Sequence, residues 1–176
     1  WAGGEARPVP PARVLQRAND RLLDELHTDL YATAAVAVCE PGSGRVTYAS
    51  AGHPDALVLE PGGEMRWIDG SGVPLGMLRG VEWEEQRIEL APGARLLIHS
   101  DGFTECPDAA GRLLGPEGLA AIAARERTAS ADDLADALLA AMRARSGGAR
   151  APDDLSCIVL ERAEEAPRRR PPRAPP

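Results

Sequence analysis

Along residues 12–27 the apolar side chains Val14, Leu15, Ala18, Leu22, Leu23 and Leu26 recur at spacings of three and four. That period places them on one buried face of an α-helix. Pro8, Pro10 and Pro11 lead into it. The apolar run Tyr31–Cys39 then predicts a core strand, Glu40-Pro41-Gly42-Ser43-Gly44 a turn, and Arg45–Ala51 a second strand, so the pair forms a hairpin. Ala56–Leu59 and Glu64–Ile68, joined through Pro61-Gly62-Gly63, predict another hairpin. The glycine-rich stretch from Asp69 to Gly80 is expected to be a loop. Arg87-Ile88-Glu89-Leu90 alternates as a half-buried antiparallel strand does. Ala91-Pro92-Gly93 turns the chain, and Arg95–His99 follows as a strand built on Leu96, Leu97 and Ile98.

Two helices come next. Pro116 occupies a first-turn position ahead of Leu119, Ile122 and Ala123. Ser130-Ala131-Asp132-Asp133 resembles a capping box before Leu134, Leu138, Ala141 and Met142, with Gly147-Gly148 as the stop. Leu155–Leu160 is the last predicted strand, and residues 166–176 are expected to be a disordered Pro/Arg tail. Helix, hairpins, helix pair and strand together predict an α+β fold with largely antiparallel sheets, not a doubly wound parallel one. A lead-in (1–11), one domain (12–162) and a tail (163–176) account for the chain.

At 176 residues the chain is long enough for a proper core. With only three Trp, two Tyr and one Phe, that core must be built from Leu, Val, Ile and Ala. All 20 basic side chains are arginine, and none is lysine. This removes P-loop and Schiff-base chemistry, both of which need a lysine amine. The net charge is −7, and four of the arginines crowd into the last ten residues, which leaves the body more acidic still. An acidic body is a poor partner for nucleic acid and a good one for divalent cations or a basic protein face. No apolar run reaches the length of a membrane span, and no signal peptide is visible. Cys39, Cys106 and Cys157 are sparse and odd in number, which argues for a reducing compartment, with the cytoplasm as the expectation.

Two segments could carry chemistry. In Ile98-His99-Ser100-Asp101-Gly102-Phe103-Thr104-Glu105 an apolar strand ends on a carboxylate followed by glycine. Such an end can hold a cation, and it can equally be an ordinary Asp-Gly turn. Pro152-Asp153-Asp154-Leu155-Ser156 sets two adjacent carboxylates ahead of the last strand. They repel unless a cation, an arginine or solvent compensates. Their bland alternative is a solvated loop with turn hydrogen bonds. Together, aspartates at the edges of core strands are hard oxygen donors suited to Mg²⁺ or Mn²⁺ rather than zinc.

Six segments in order resemble the SpoIIE-type branch of the PPM metal-dependent serine/threonine protein phosphatases. They are Thr33 to Val38, Tyr48-Ala49-Ser50-Ala51-Gly52-His53-Pro54, Gly72-Val73-Pro74-Leu75-Gly76, Leu90-Ala91-Pro92-Gly93, Leu97 to Glu105, and Asp153-Asp154-Leu155-Ser156. The resemblance implies a sandwich of two antiparallel sheets flanked by helices, with two Mn²⁺ or Mg²⁺ ions at one end. It makes Asp101 and Asp153 the catalytic metal ligands, with Asp154 beside them as a metal-site residue. It also implies in-line hydrolysis of a phosphoserine or phosphothreonine on a regulatory protein such as an anti-sigma-factor antagonist, with a sensor domain in the same protein. His53 is expected to be structural, its ring bonded to a backbone carbonyl.

One departure bears on activity. The family carries a further metal-bridging aspartate in an Asp-x-x-Gly-His-Gly segment upstream of the first helix. No such segment occurs here, and Asp20, Asp24 and Asp29 have no Gly-His-Gly beside them. Trp1 in place of an initiating Met leads to the expectation that the chain was cut from something longer. The alternative is a phosphatase-like domain that binds a partner without turnover. For the chain alone, weak or no turnover is expected. A rival pattern, Cys106 to Arg112, has the C-x₅-R spacing of a cysteine phosphatase loop. Asp108 within it would repel a phosphate, so coincidence in a turn is the better account.

Overall fold

The computed structural model describes residues 8–25, 30–126, 129–147 and 153–163. Leu26, His27, Asp29, Gly148, Pro152 and the tail beyond residue 163 lie outside them. The elements are α1 (Pro11–Glu25), β1 (Ala34–Cys39), β2 (Arg45–Ala51), β3 (Ala56–Leu59), β4 (Met65–Ile68), β5 (Gln86–Glu89), β6 (Arg95–His99), α2 (Asp101–Thr104), α3 (Gly115–Arg125), α4 (Ala131–Arg145) and β7 (Cys157–Glu161). Two antiparallel sheets result, in the orders β1-β2-β5 and β4-β3-β6-β7.

Strand alternation sorts the side chains into three cores. Val46, Tyr48, Ile88, Val58, Leu96 and Ile98 meet between the sheets. The opposite face of β2 gives Ala49 and Ala51 to Leu15 of α1, where small residues let the helix approach. Leu57, Leu59 and Leu97 point the other way, onto Leu119, Leu134, Leu138 and Met142 of α3 and α4. The result is a four-layer sandwich, helix, sheet, sheet, helices. β2, β3 and β6 are buried on both faces, which is why their sequences are almost continuously apolar.

Three differences from the sequence expectation have local causes. β1 starts at Ala34, not Tyr31, because Ala32 exchanges both backbone hydrogen bonds with Leu75 (3.0 and 2.8 Å) outside the sheet. β7 starts at Cys157, not Leu155, because the Ser156 amide donates to a side chain, the Ser100 hydroxyl. The Asp101-Gly102 segment is one turn of helix, closed by Glu105 N–H to Asp101 C=O at 2.8 Å. The predicted cap at Ser130 is present: its hydroxyl oxygen accepts the Asp133 N–H.

Buried polar residues tie the layers. Asn19, 1% exposed on α1, accepts the Gly76 N–H and donates to the Leu78 carbonyl, holding the glycine-rich loop to the helix. Arg95, 3% exposed on β6, donates to the Glu126 and Ala129 carbonyls at 3.0 and 2.8 Å, joining the end of α3 to the approach of α4. Hydrogen bonds from a charged donor contribute about 1.5–3 kcal/mol each. Arg95→Met should therefore lower unfolding stability by about 3 kcal/mol, seen as a lower urea midpoint with unchanged slope. No helix among the described residues is long and apolar enough to cross a membrane.

Candidate metal centre

β6 is buried along its whole length and delivers Asp101 to the surface at one end of the sandwich. The segment 153–156 arrives beside it on the way into β7. The β6–β7 register pairs His99 with Cys157. The next pair outward is Ser100 with Ser156, and there the ladder changes form. Ser100 N–H still donates to the Ser156 carbonyl at 2.9 Å. The reciprocal bond goes elsewhere, since the Ser156 N–H donates to Ser100 Oγ at 3.1 Å. The same hydroxyl donates to the Asp154 carbonyl at 2.9 Å. Gly102 sits so close to this loop that a Cβ would lie 2.6 Å from the Asp154 carbonyl oxygen. The Asp101 and Asp153–Asp154 segments are thus locked together by backbone and hydroxyl, while all three carboxylate residues are exposed. Asp153 Oδ1 accepts the Asp154 N–H at 2.7 Å, which fixes the orientation of its carboxylate.

Two histidines stand behind the aspartates. His53 closes the turn after β2: its N–H donates to Ser50 Oγ at 3.1 Å, and Ser50 Oγ donates to the Gly70 carbonyl at 2.7 Å. Its ring Nδ1 lies 3.4 Å from the Thr33 hydroxyl, and the ring also meets the His99 backbone carbonyl, the kind of bond expected of it. Burial and the neighbouring His99 push the His53 pKa down, while Asp101 and the His99 backbone pull it partly back. His99 is 2% exposed, with Nδ1 3.0 Å from the Ser100 carbonyl and its ring edge-on to Trp67 and Phe103. Burial pushes its pKa down too. Both shifts favour the neutral ring.

Asp101 and Asp153 are oxygen donors, which fits Mg²⁺ or Mn²⁺ in kind. They fall short in number. Among the described residues no group of three or more His, Cys, Asp or Glu could hold a metal ion.

The rival C-x₅-R pattern fails on geometry. Cys106 is fully buried in the α3–α4 core, its sulfur 3.9 Å from the Met142 carbonyl. Arg112 is turned onto Asp108, with Nε and Nη2 each 2.9 Å from Oδ2. No anion can reach a thiol so buried. Cys106→Ser should leave any phosphate hydrolysis at the parent rate, a result that a phosphate-release assay reads directly.

A family model described as stage II sporulation protein E (SpoIIE) matches residues 5–163, nearly the whole chain. The chain belongs to the SpoIIE family. The phosphoserine phosphatase RsbP of Bacillus subtilis is 25% identical over 101 residues, a match covering 55% of this chain and 25% of RsbP. The chain thus spans about a quarter of that curated relative's length. Among solved structures, the SiaA-PP2C domain of Pseudomonas aeruginosa superposes with a TM-score of 0.76 at 18% identity, covering 86% of this chain and 61% of that one. The phosphatase domain of the cell fate determinant SpoIIE from Bacillus subtilis, presoaked with Mn, gives 0.67 at 16% identity, covering 94% and 79%. The helix-flanked double sheet is therefore the PP2C-type phosphatase fold.

Within this SpoIIE-family fold, the two aspartate segments singled out in the sequence come together in space. Ser100, His99 and Gly102 were not singled out there as site residues. The bonds of Ser100 reach residues more than 50 positions away. The Asp-Gly pair carried a signal for Gly102, because a glycine beside a surface carboxylate marks a close backbone approach.

Proposed function

We propose that this chain carries part of the active site of a metal-dependent protein phosphatase. Its substrate class is phosphoserine or phosphothreonine on a regulatory protein, such as an anti-sigma-factor antagonist. A single observation carries this reading: Asp101 and Asp153 sit on segments locked to each other at one end of a SpoIIE-family sandwich. RsbP, a phosphoserine phosphatase, supports the substrate class.

Asp101 and Asp153 would hold divalent cation, Mn²⁺ or Mg²⁺, with Asp154 beside them. When bound, such ions neutralise phosphoryl oxygens and activate water for in-line displacement. This chain's own residues do the positioning. β6 fixes where Asp101 emerges, Ser100 and Gly102 set its approach to the 153–156 segment, and the Asp154 amide orients the Asp153 carboxylate. No nucleophilic side chain is required, consistent with a buried Cys106 and the absence of lysine. A reducing, cytoplasmic setting is part of the same proposal. A sensor or regulatory domain in the same protein belongs to the same proposal.

A second reading is favoured by one observation, the lack of a third ligand among the described residues. In it the domain binds its regulatory partner without turnover. Phosphate release from a phosphoserine protein substrate, with Mn²⁺ and then with excess chelator, separates the two. Chelator-sensitive release by the complete protein supports the phosphatase. A folded, Mn²⁺-supplied protein that binds the phosphoprotein and releases nothing supports the module.

A further inference from the structure

Ten large apolar side chains are exposed among the described residues, and four of them gather in one place. Leu30 and Tyr31 are 72 and 65% exposed, Met77 and Leu78 53 and 57%. Their two segments are held side by side. Ala32 and Leu75 exchange both backbone hydrogen bonds. Gly76 passes so close that a Cβ there would lie 3.0 Å from the Leu30 carbonyl oxygen and 3.6 Å from Tyr31 Cα. The second segment is also fixed from below. Buried Asn19 accepts the Gly76 N–H and donates to the Leu78 carbonyl. Arg79 donates to the Leu23 carbonyl at 3.1 Å and pairs with Asp24 at 2.8 Å. Met77 and Leu78 are thus presented to solvent on a loop anchored before and after them. Single exposed apolar residues need no explanation, but a contiguous patch marks an interaction site.

Position and size narrow the occupant. Thr33, two residues beyond Tyr31, meets the His53 ring at 3.4 Å, and His53 shares a groove with Ser100 and Ser156. The patch therefore lies on the rim of the end where β6 delivers Asp101. Four side chains offer a few hundred Å² of apolar area, whereas a stable interface takes about 800 Å² from each partner. That area suits a partner that arrives and leaves better than a permanent second copy. None of the four residues is charged, and Tyr and Met are types enriched in protein interfaces. We propose that Leu30, Tyr31, Met77 and Leu78 form the docking surface for the protein part of the substrate, an apolar face of the regulatory phosphoprotein beside its phosphoserine. The proposal rests on that phosphoprotein being the partner, which is common to both readings above. Since the patch meets protein rather than phosphate, it acts on the phosphorylated and unphosphorylated partner alike.

The test uses the full chain with Mn²⁺ present. Its probe is the anti-sigma-factor antagonist of the same organism, phosphorylated on serine and unphosphorylated, titrated by calorimetry. Parent, Tyr31→Ser, Met77→Ser and Asp101→Asn are compared with Val9→Ser, a control at an exposed apolar residue ahead of the other end of α1. Tyr31→Ser and Met77→Ser should melt as the parent does and bind both forms about tenfold more weakly. Val9→Ser should bind both as the parent does. Asp101→Asn should weaken the phosphorylated form alone. Parent-like binding of both forms by the two patch variants would overturn the docking surface, whatever Asp101→Asn does. Equal binding of the two forms by parent and Asp101→Asn, with both patch variants weakened, would sink the phosphatase reading and leave the docking surface standing. A parent that binds neither form, or a loss in Val9→Ser as large as in Tyr31→Ser, would also overturn it. Sedimentation of the chain alone covers the remaining occupant: a dimer that Met77→Ser dissolves would put a second copy on the patch and overturn the proposal.

Discussion

Gly102→Ala should lower the domain's stability and its Mn²⁺ affinity together. An added Cβ at this position meets the Asp154 carbonyl oxygen at 2.6 Å and Leu155 Cδ2 at 3.3 Å. Leu155 can rotate away, but a backbone oxygen hydrogen-bonded to Ser100 cannot. Glycine is required here for space, since its φ is not in the left-handed region. Either α2 or the 153–156 segment must shift, and forcing extra atoms into a packed contact costs about 1–3 kcal/mol. Gly62→Ala is the matched control. No atom lies within 4 Å of a Cβ there, and the backbone conformation is ordinary, so its unfolding midpoint should stay at or above the parent's. If Gly102→Ala matched the parent in both denaturation midpoint and Mn²⁺ titration, the close approach of the two segments would not be what holds the site.

Asp101→Asn and Asp153→Asn should separate function from stability in the complete protein. Both residues are exposed, and an amide keeps the carboxylate's shape, so melting temperatures in chelator should scarcely move. Metal-dependent phosphate release should fall by more than about 100-fold, because a direct ligand outweighs the outer-shell partners whose loss already costs about 10–100-fold. Asp154→Asn should fall between the parent and these two. Its backbone carbonyl, which Ser100 holds, is unaffected by the change. Steady-state release from a phosphoserine protein across the three variants checks the ranking. Parent-like rates in all three would leave the aspartates as surface polar groups.

The elements were legible wherever packing dictates composition. β2, β3 and β6 are buried on both faces, so their apolar runs and the Gly/Pro turns around them mark their bounds. α4 was legible through its Ser130 cap and its Leu134, Leu138, Met142 stripe. Sheet membership was not. β5 and β6 are separated by a short Ala-Pro-Gly turn, yet they belong to different sheets, and β6 pairs with β3 and β7 instead. Nothing in local periodicity encodes that switch. α2 is only four residues long, below the length at which a helical period can show. The site divides in the same way. Asp101 and Asp153 stood out because carboxylates at strand ends are visible in one dimension. Ser100 did not, because its role exists only once β6 and β7 are paired.

The account stands on a cation being held between two segments that the fold brings together. Anomalous difference density from crystals soaked in Mn²⁺ examines this most directly. The account predicts a Mn²⁺ peak bonded to the carboxylates of Asp101 and Asp153, beside the Ser100–Asp154 hydrogen bond, and its loss in Asp101→Asn. A Mn²⁺ peak elsewhere on the acidic surface, with none between these two side chains, would contradict it.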